Sequence, residues 1–132
     1  MTETYKIKIP IYRITVHLFF GNIEDCKKAI IADGQNEITA EAWAKNNDKY
    51  EGAFTVEETG YTLIWLRKFP ESVGDYGSLI HEIEHCTFDI LNSRGVKHSD
   101  DSDEAFAYLL CWLYEEIENF ILDEKEKQQS IS

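Results

Sequence analysis

The chain is poor in the residues that mark several common protein classes. Its three cysteines, Cys26, Cys86 and Cys111, are odd in number and show no CxxC spacing. They therefore suggest neither a disulfide framework nor a cysteine-rich zinc site, and read as reduced, mostly buried thiols of a cytoplasmic protein. Basic residues are scarce: 13 Lys and Arg stand against 25 Asp and Glu, a formal net charge of −12. That deficit argues against nucleic acid or an anionic membrane as a partner, because both are bound by clustered Lys and Arg. Solubility is the simplest use of the charge; an acidic rim selecting basic peptides is the sharper one. No apolar run approaches a membrane span, and the opening MTETYKIKIP carries charge and a proline where a signal peptide has its apolar core. No internal repeat and no linker divides the 132 residues, which suffice for one domain.

Apolar residues make up 43% and aromatics 13%, enough for a core. Tyr5 to Phe20 reads as strand interrupted at Pro10, because Tyr12, Ile14, Val16 and Leu18 alternate with Arg13, Thr15 and His17. Asn22 can cap a short helix from Ile23 to Ala32 that ends at Asp33-Gly34. Residues 35–49 are the least legible, with a turn or two of helix expected over Thr39 to Lys45. Ala53 to Glu57 and Tyr61 to Phe69 form an expected hairpin around Thr59-Gly60. Pro70 to Gly77 reads as a loop and about Ser78 to Ser93 as a helix stopped by Gly95. Val96 to Ser102 follows as a polar loop. A long helix then runs from about Ser102 to Glu124. Strands first and two helices last give an α+β fold: an N-terminal antiparallel sheet, a motif helix and a long C-terminal helix. One domain is expected over 1–125 and a flexible tail over 126–132.

The informative motif is His81-Glu82-Ile83-Glu84-His85, an HExxH sequence. Histidines four apart lie about 40° apart around a helix turning roughly 100° per residue, so both imidazoles can reach one Zn²⁺. Glu82 flanks them, where a general base for an activated water belongs. Leu79, Ile83, Cys86 and Ile90 make a separate apolar stripe on the same helix. The motif is short enough to arise by chance, and this context raises it above coincidence.

A catalytic zinc needs a third protein ligand. The metzincin pattern is excluded, because Phe88 and Leu91 occupy the positions of its Gly and third His. A carboxylate of the following helix is the other way to finish the site. Glu104 is the first choice: it lies 19 residues beyond His85, enough to turn and return, and small Ala105 follows it. Asp101-Ser102-Asp103-Glu104 also reads as a capping box with Asp101 as N-cap and Glu104 three residues in. Asp103, Asp101, Asp100 and His98 are the remaining candidates. Asp89, four residues past His85, can orient an imidazole. Tyr108 and Tyr76 are candidates for stabilising an oxyanion, although a tyrosine in Tyr108's position more commonly packs between helices. The Ala53–Phe69 hairpin can offer an edge strand to an extended peptide, or be an ordinary edge blunted by Arg67 and Lys68.

HEIEH followed by SDEAFAYLL resembles the gluzincin-type metallopeptidases, and among small intracellular versions the ImmA/IrrE-like proteins and small phage and prophage HExxH proteins. The resemblance covers about residues 78–115. It implies a minimal zincin-like domain with one Zn²⁺, His81, His85 and Glu104 as ligands, Glu82 as base and a peptide or protein substrate. The ExxAN spacing of ImmA-like helices is absent, since Ala105 directly follows Glu104, so the identity of the carboxylate stays open. No helix-turn-helix accompanies the motif. Two other expectations compete with the peptidase: a zinc-binding interaction protein without turnover, and a metal-free binding module with a coincidental motif.

Overall fold

A computed structural model describes residues 1–131. The fold is α+β, with eight elements in the order β1 (Tyr5–Ile9), β2 (Ile14–Phe20), α1 (Ile23–Ala32), α2 (Glu37–Asn47), β3 (Gly52–Val56), β4 (Thr62–Leu66), α3 (Val73–Ser93) and α4 (Asp103–Ile131). The chain forms two compact units, Met1–Glu82 and Ile83–Ser132.

The first unit is built on a four-stranded sheet of order β1-β2-β4-β3. β1 with β2 and β3 with β4 pair antiparallel, as expected of hairpins. The central pair differs: β2 and β4 run parallel, with Val16 opposite Thr62 and Phe20 opposite Leu66. A parallel pair needs a long crossover, and α1, α2 and β3 provide it. β4, TLIWL, is buried at every residue, which is why its sequence shows an apolar run rather than alternation.

Local chemistry sets the helix ends. Asn22 caps α1 as expected, its side chain accepting from Asp25 N at 2.8 Å. Gly34, at φ 102°, ends α1 in a left-handed turn in which Gln35 N–H reaches back to Ile30 O. α2 is longer than its composition suggests because Asn36 starts it, accepting from Ile38 N at 2.7 Å. Both helices feed one core, where Phe19, Cys26, Ile30, Ala40, Trp43, Leu63 and Trp65 cluster. The tryptophans meet edge to face at 5.5 Å. Each still satisfies its N–H, Trp43 on Thr55 Oγ1 and Trp65 on Gly21 O, both at 2.8 Å.

α3 begins five residues earlier than the sequence suggested. Gly74 and Gly77 read as loop, yet Ser72 and Asp75 form a reciprocal cap. Asp75 N–H donates to Ser72 Oγ and Ser72 N–H to Asp75 Oδ2, both at 3.1 Å. Two such bonds offset the low helix propensity of the glycines.

In the second unit α4 starts at Asp103, one residue after the expected start near Ser102. The first helical bond runs from Phe106 N–H to the carbonyl of Ser102. The expected Asp101 capping box is therefore replaced: Ser102 precedes the helix, and its hydroxyl accepts from Ser99 N–H and donates to Lys97 O. Phe106, Leu109, Leu113, Ile117 and Ile121 are buried at helical spacing. α4 continues through residues 126–131, where a flexible tail was expected; Ser132 lies outside the described residues. Among the described residues no helix is long and apolar enough to cross a membrane, and the three cysteines are free thiols, Cys26 and Cys86 buried and Cys111 exposed.

Candidate active site and a buried polar cluster

His81, Glu82 and His85 all lie on the uninterrupted helix α3. Both histidines are exposed and Glu82 is half-buried. Leu79, Ile83, Cys86 and Ile90 are fully buried. On a helix turning about 100° per residue they fall on the side opposite the histidines, so the histidine face and the core stripe are separate, as expected. Gly74, Gly77 and Ser78 continue the histidine side toward the helix start.

That N-terminal stretch lines an open groove of about 450 Å³ together with Tyr50, Glu51, Gly52, His81 and Glu82. Gly52 opens β3, an edge strand. Arg67 N–H donates to Glu51 O and Glu57 N–H to Tyr61 O. By antiparallel alternation the main-chain groups of Gly52, Phe54 and Val56 therefore face away from β4. Gly52 is required sterically, since a Cβ there would come within 2.8 Å of Trp65 O. Arg67 and Lys68 follow β4, an inner strand, and so do not blunt the edge of β3 as expected. Arg67 instead fixes the approach to β3, donating from Nε to Tyr50 O at 2.8 Å and from its guanidinium to Asp48 O.

Glu104 stands exposed in the first turn of α4, with Asp103 beside it. Asp103 is engaged by His98, at 2.9 Å from Nε2, and the His98 ring lies against Phe88 and Phe106. Two of the candidate ligands thus hold each other at the start of α4. Asp100 and Asp101 are exposed in the turn before it. Among the described residues no three His, Cys, Asp or Glu side chains are gathered into a set that could hold a metal. His81 and His85 share one side of α3, and any metal held there would need a third ligand from elsewhere. Asp89 is half-buried, and burial pushes its carboxyl above the ordinary carboxylate range. Tyr108 is 71% exposed rather than packed between helices. Tyr76 is half-buried in the first turn of α3.

Sequence reasoning missed a second group of polar side chains. Asp33, at the end of α1, has a side chain only 4% exposed. Tyr61 hydroxyl donates to its Oδ2 at 2.7 Å, Lys6 Nζ donates to Oδ1 at 3.2 Å, and Thr4 hydroxyl donates to Oδ2. His17 Nδ1 lies 3.1 Å from the same oxygen and 2.9 Å from Thr4 Oγ1, and the imidazole stacks on Tyr61 at 4.3 Å. Burial opposes the Asp33 charge, but the bonds from Thr4, Tyr61 and Lys6 and the nearby His17 outweigh it and hold the carboxyl below its ordinary range. Burial dominates at His17 and lowers its proton affinity despite Asp33. Burial, then the bond to Asp33, pushes the Tyr61 hydroxyl upward. The only signal in the sequence was faint: Thr4, Lys6 and His17 are polar positions beside apolar alternation.

Compared with known proteins, the chain matches no family model, no curated protein sequence and no solved structure.

Proposed function

We propose that this protein is a zinc-dependent metallopeptidase of the cytoplasm, acting on an extended segment of peptide or protein. The observation that carries the reading is the His81-Glu82-x-x-His85 turn of α3, with both histidines exposed and His81 and Glu82 lining an open groove beside the edge strand β3. The resemblance of HEIEH and SDEAFAYLL to gluzincins and small phage HExxH proteins supports it, as do the free thiols. His81 and His85 would hold the zinc, with Glu104 or a neighbouring carboxylate as the third ligand. When bound, the ion supplies Lewis-acid polarisation of a carbonyl and a water of lowered pKa. Glu82 takes the proton from the attacking water and passes it to the leaving amine. The outward main chain of Gly52, Phe54 and Val56 pairs with the substrate as an added strand and aligns its scissile bond along the groove.

The test begins with metal content of protein purified without added metal. About one equivalent of zinc is expected, as for a catalytic site, and its loss in His81→Ala. Zinc absent from both proteins sinks the reading. Glu82→Gln should keep the zinc while hydrolysis of a denatured-protein substrate falls by about 10²–10⁴-fold, the usual worth of a positioned base. Zinc with no turnover in the wild type leaves a metal-binding interaction protein. Glu104→Ala should weaken zinc retention; unchanged affinity moves the third ligand to another carboxylate or His98.

A further inference from the structure

The Asp33 cluster uses none of the residues of the proposed hydrolase site. It joins three parts of the first unit: Thr4 and Lys6 at β1, His17 on β2 with Tyr61 before β4, and Asp33 at the end of α1. Only β2 pairs with β1 in the sheet. The cluster is therefore a second fastening for that edge strand, made of side chains rather than ladder bonds. It is also close to fully bonded. Asp33 Oδ2 accepts from Thr4 and Tyr61 and lies against His17, while Oδ1 accepts from Lys6. Because the Thr4 hydroxyl donates its proton to Asp33, the 2.9 Å contact of Thr4 Oγ1 with His17 Nδ1 assigns the ring proton to Nδ1, which leaves Nε2 as the atom where a further proton adds.

We propose that Thr4, His17, Asp33 and Tyr61 form an acid-sensitive latch holding β1 and the end of α1 to the sheet, and that protonation of His17 releases it. The groups facing the imidazole are the Thr4 hydroxyl and Lys6 ammonium from β1, the Asp33 carboxylate from α1 and the Tyr61 ring and hydroxyl beside β4. The Cys26 thiol of α1, which burial holds in its neutral form, lies close enough to interact with Asp33. One carboxylate thus serves one cation already, Lys6, and a second cation at His17 would be 13% exposed and pressed against an aromatic face. Loss of hydration then weighs against the imidazolium more than the shared carboxylate favours it.

The sign follows from linkage. A histidine whose proton affinity is lowered by folding adds stability that is full above the ordinary histidine range, and that stability is lost as pH falls through the folded pKa. Release of β1 uncovers the main-chain edge of β2, a surface able to pair with another strand. The experiment is hydrogen exchange of the Tyr5–Ile9 amides, expressed as protection factors, between about pH 8 and about pH 5, where an ordinary histidine changes charge. In the full-length wild type the protection of β1 should fall several-fold across this range, while the amides of β4 hold theirs. His17→Gln, which cannot titrate, should show the same β1 protection at both ends. Constant protection in the wild type, or an undiminished fall in His17→Gln, overturns the latch. If His17→Gln does not fold, the wild-type His17 ring is titrated by NMR: a midpoint below that of an unstructured histidine peptide supports the latch, and one at or above it overturns it.

Discussion

The histidines of α3 and the histidine of β2 put the same side chain to opposite uses. His81 and His85 are exposed, one turn apart on one helix, with the core stripe on the other side. His17 is 13% exposed, stacked on Tyr61 and held through Nδ1 by Thr4 and Asp33. The first arrangement leaves both imidazoles on the surface, with His81 at the groove. The second spends the imidazole on the fold. A histidine's chemistry is thus set by what surrounds it, and the two regions differ in exposure: His81 and His85 reach solvent, whereas His17 is enclosed by side chains from β1, α1 and the approach to β4.

The contrast can be tested by damaging each region, from the largest expected effect downward. Trp65 sets the scale for the scaffold both regions share. It is fully buried, bonded to Gly21 O and packed on Trp43. Trp65→Ala should lower unfolding free energy by about 3–5 kcal/mol, read by denaturant titration. A loss under about 1 kcal/mol would contradict the packing described for α1 and α2.

Asp33→Ala should come next, at about 1–3 kcal/mol, because it strips the Thr4 and Tyr61 hydroxyls of their shared acceptor. Asp33 carries a pH signature as well. Its carboxyl is held below the ordinary range, so its contribution is full above that range and is lost as pH falls through the folded pKa. The gap between wild type and Asp33→Ala should therefore narrow in strong acid. A gap that widens there reverses the assignment. The corresponding change at the exposed site, His81→Ala, should cost the metal-free protein less than Asp33→Ala does, because His81 is exposed while the Asp33 side chain is buried.

The smallest effect is a gain. Gly77 sits in α3 facing the groove, and a Cβ there would meet nothing within 4 Å. Gly77→Ala should stabilise the protein by about 0.5–1 kcal/mol, through helix propensity and a less flexible unfolded chain. Gly77→Trp, by contrast, should obstruct the groove and lower hydrolysis while the protein stays folded. Undiminished turnover in Gly77→Trp would move the substrate path off this face of α3.

Much of the scaffold was legible because its signals are local. Asn22 before a helical run, Thr59-Gly60 between β-branched segments, and Leu79, Ile83, Cys86 and Ile90 at helical spacing each act within a few residues. The start of α3 was misplaced because Gly74 and Gly77 outweighed Ser72 and Asp75 when only propensity was weighed. The cap bonds that decide it form only once the turn closes. The parallel pairing of β2 with β4 was invisible for another reason. Strands carry their own alternation but not the identity of their neighbours, and the intervening α1, α2 and β3 read equally well beside an antiparallel sheet.

The sequence by itself determined the α+β class, the caps of α1 and the placing of His81, Glu82 and His85 on one side of a helix, since helical periodicity is a property of the chain alone. Only the tertiary structure decided that β3 lies at an edge beside a groove, that His98 and Asp103 engage each other, and that Thr4, His17, Asp33 and Tyr61 meet. Asp33 and Tyr61 are 28 residues apart. Contacts at such separations are chosen by which apolar faces bury together, and polar side chains are carried to their partners by that choice.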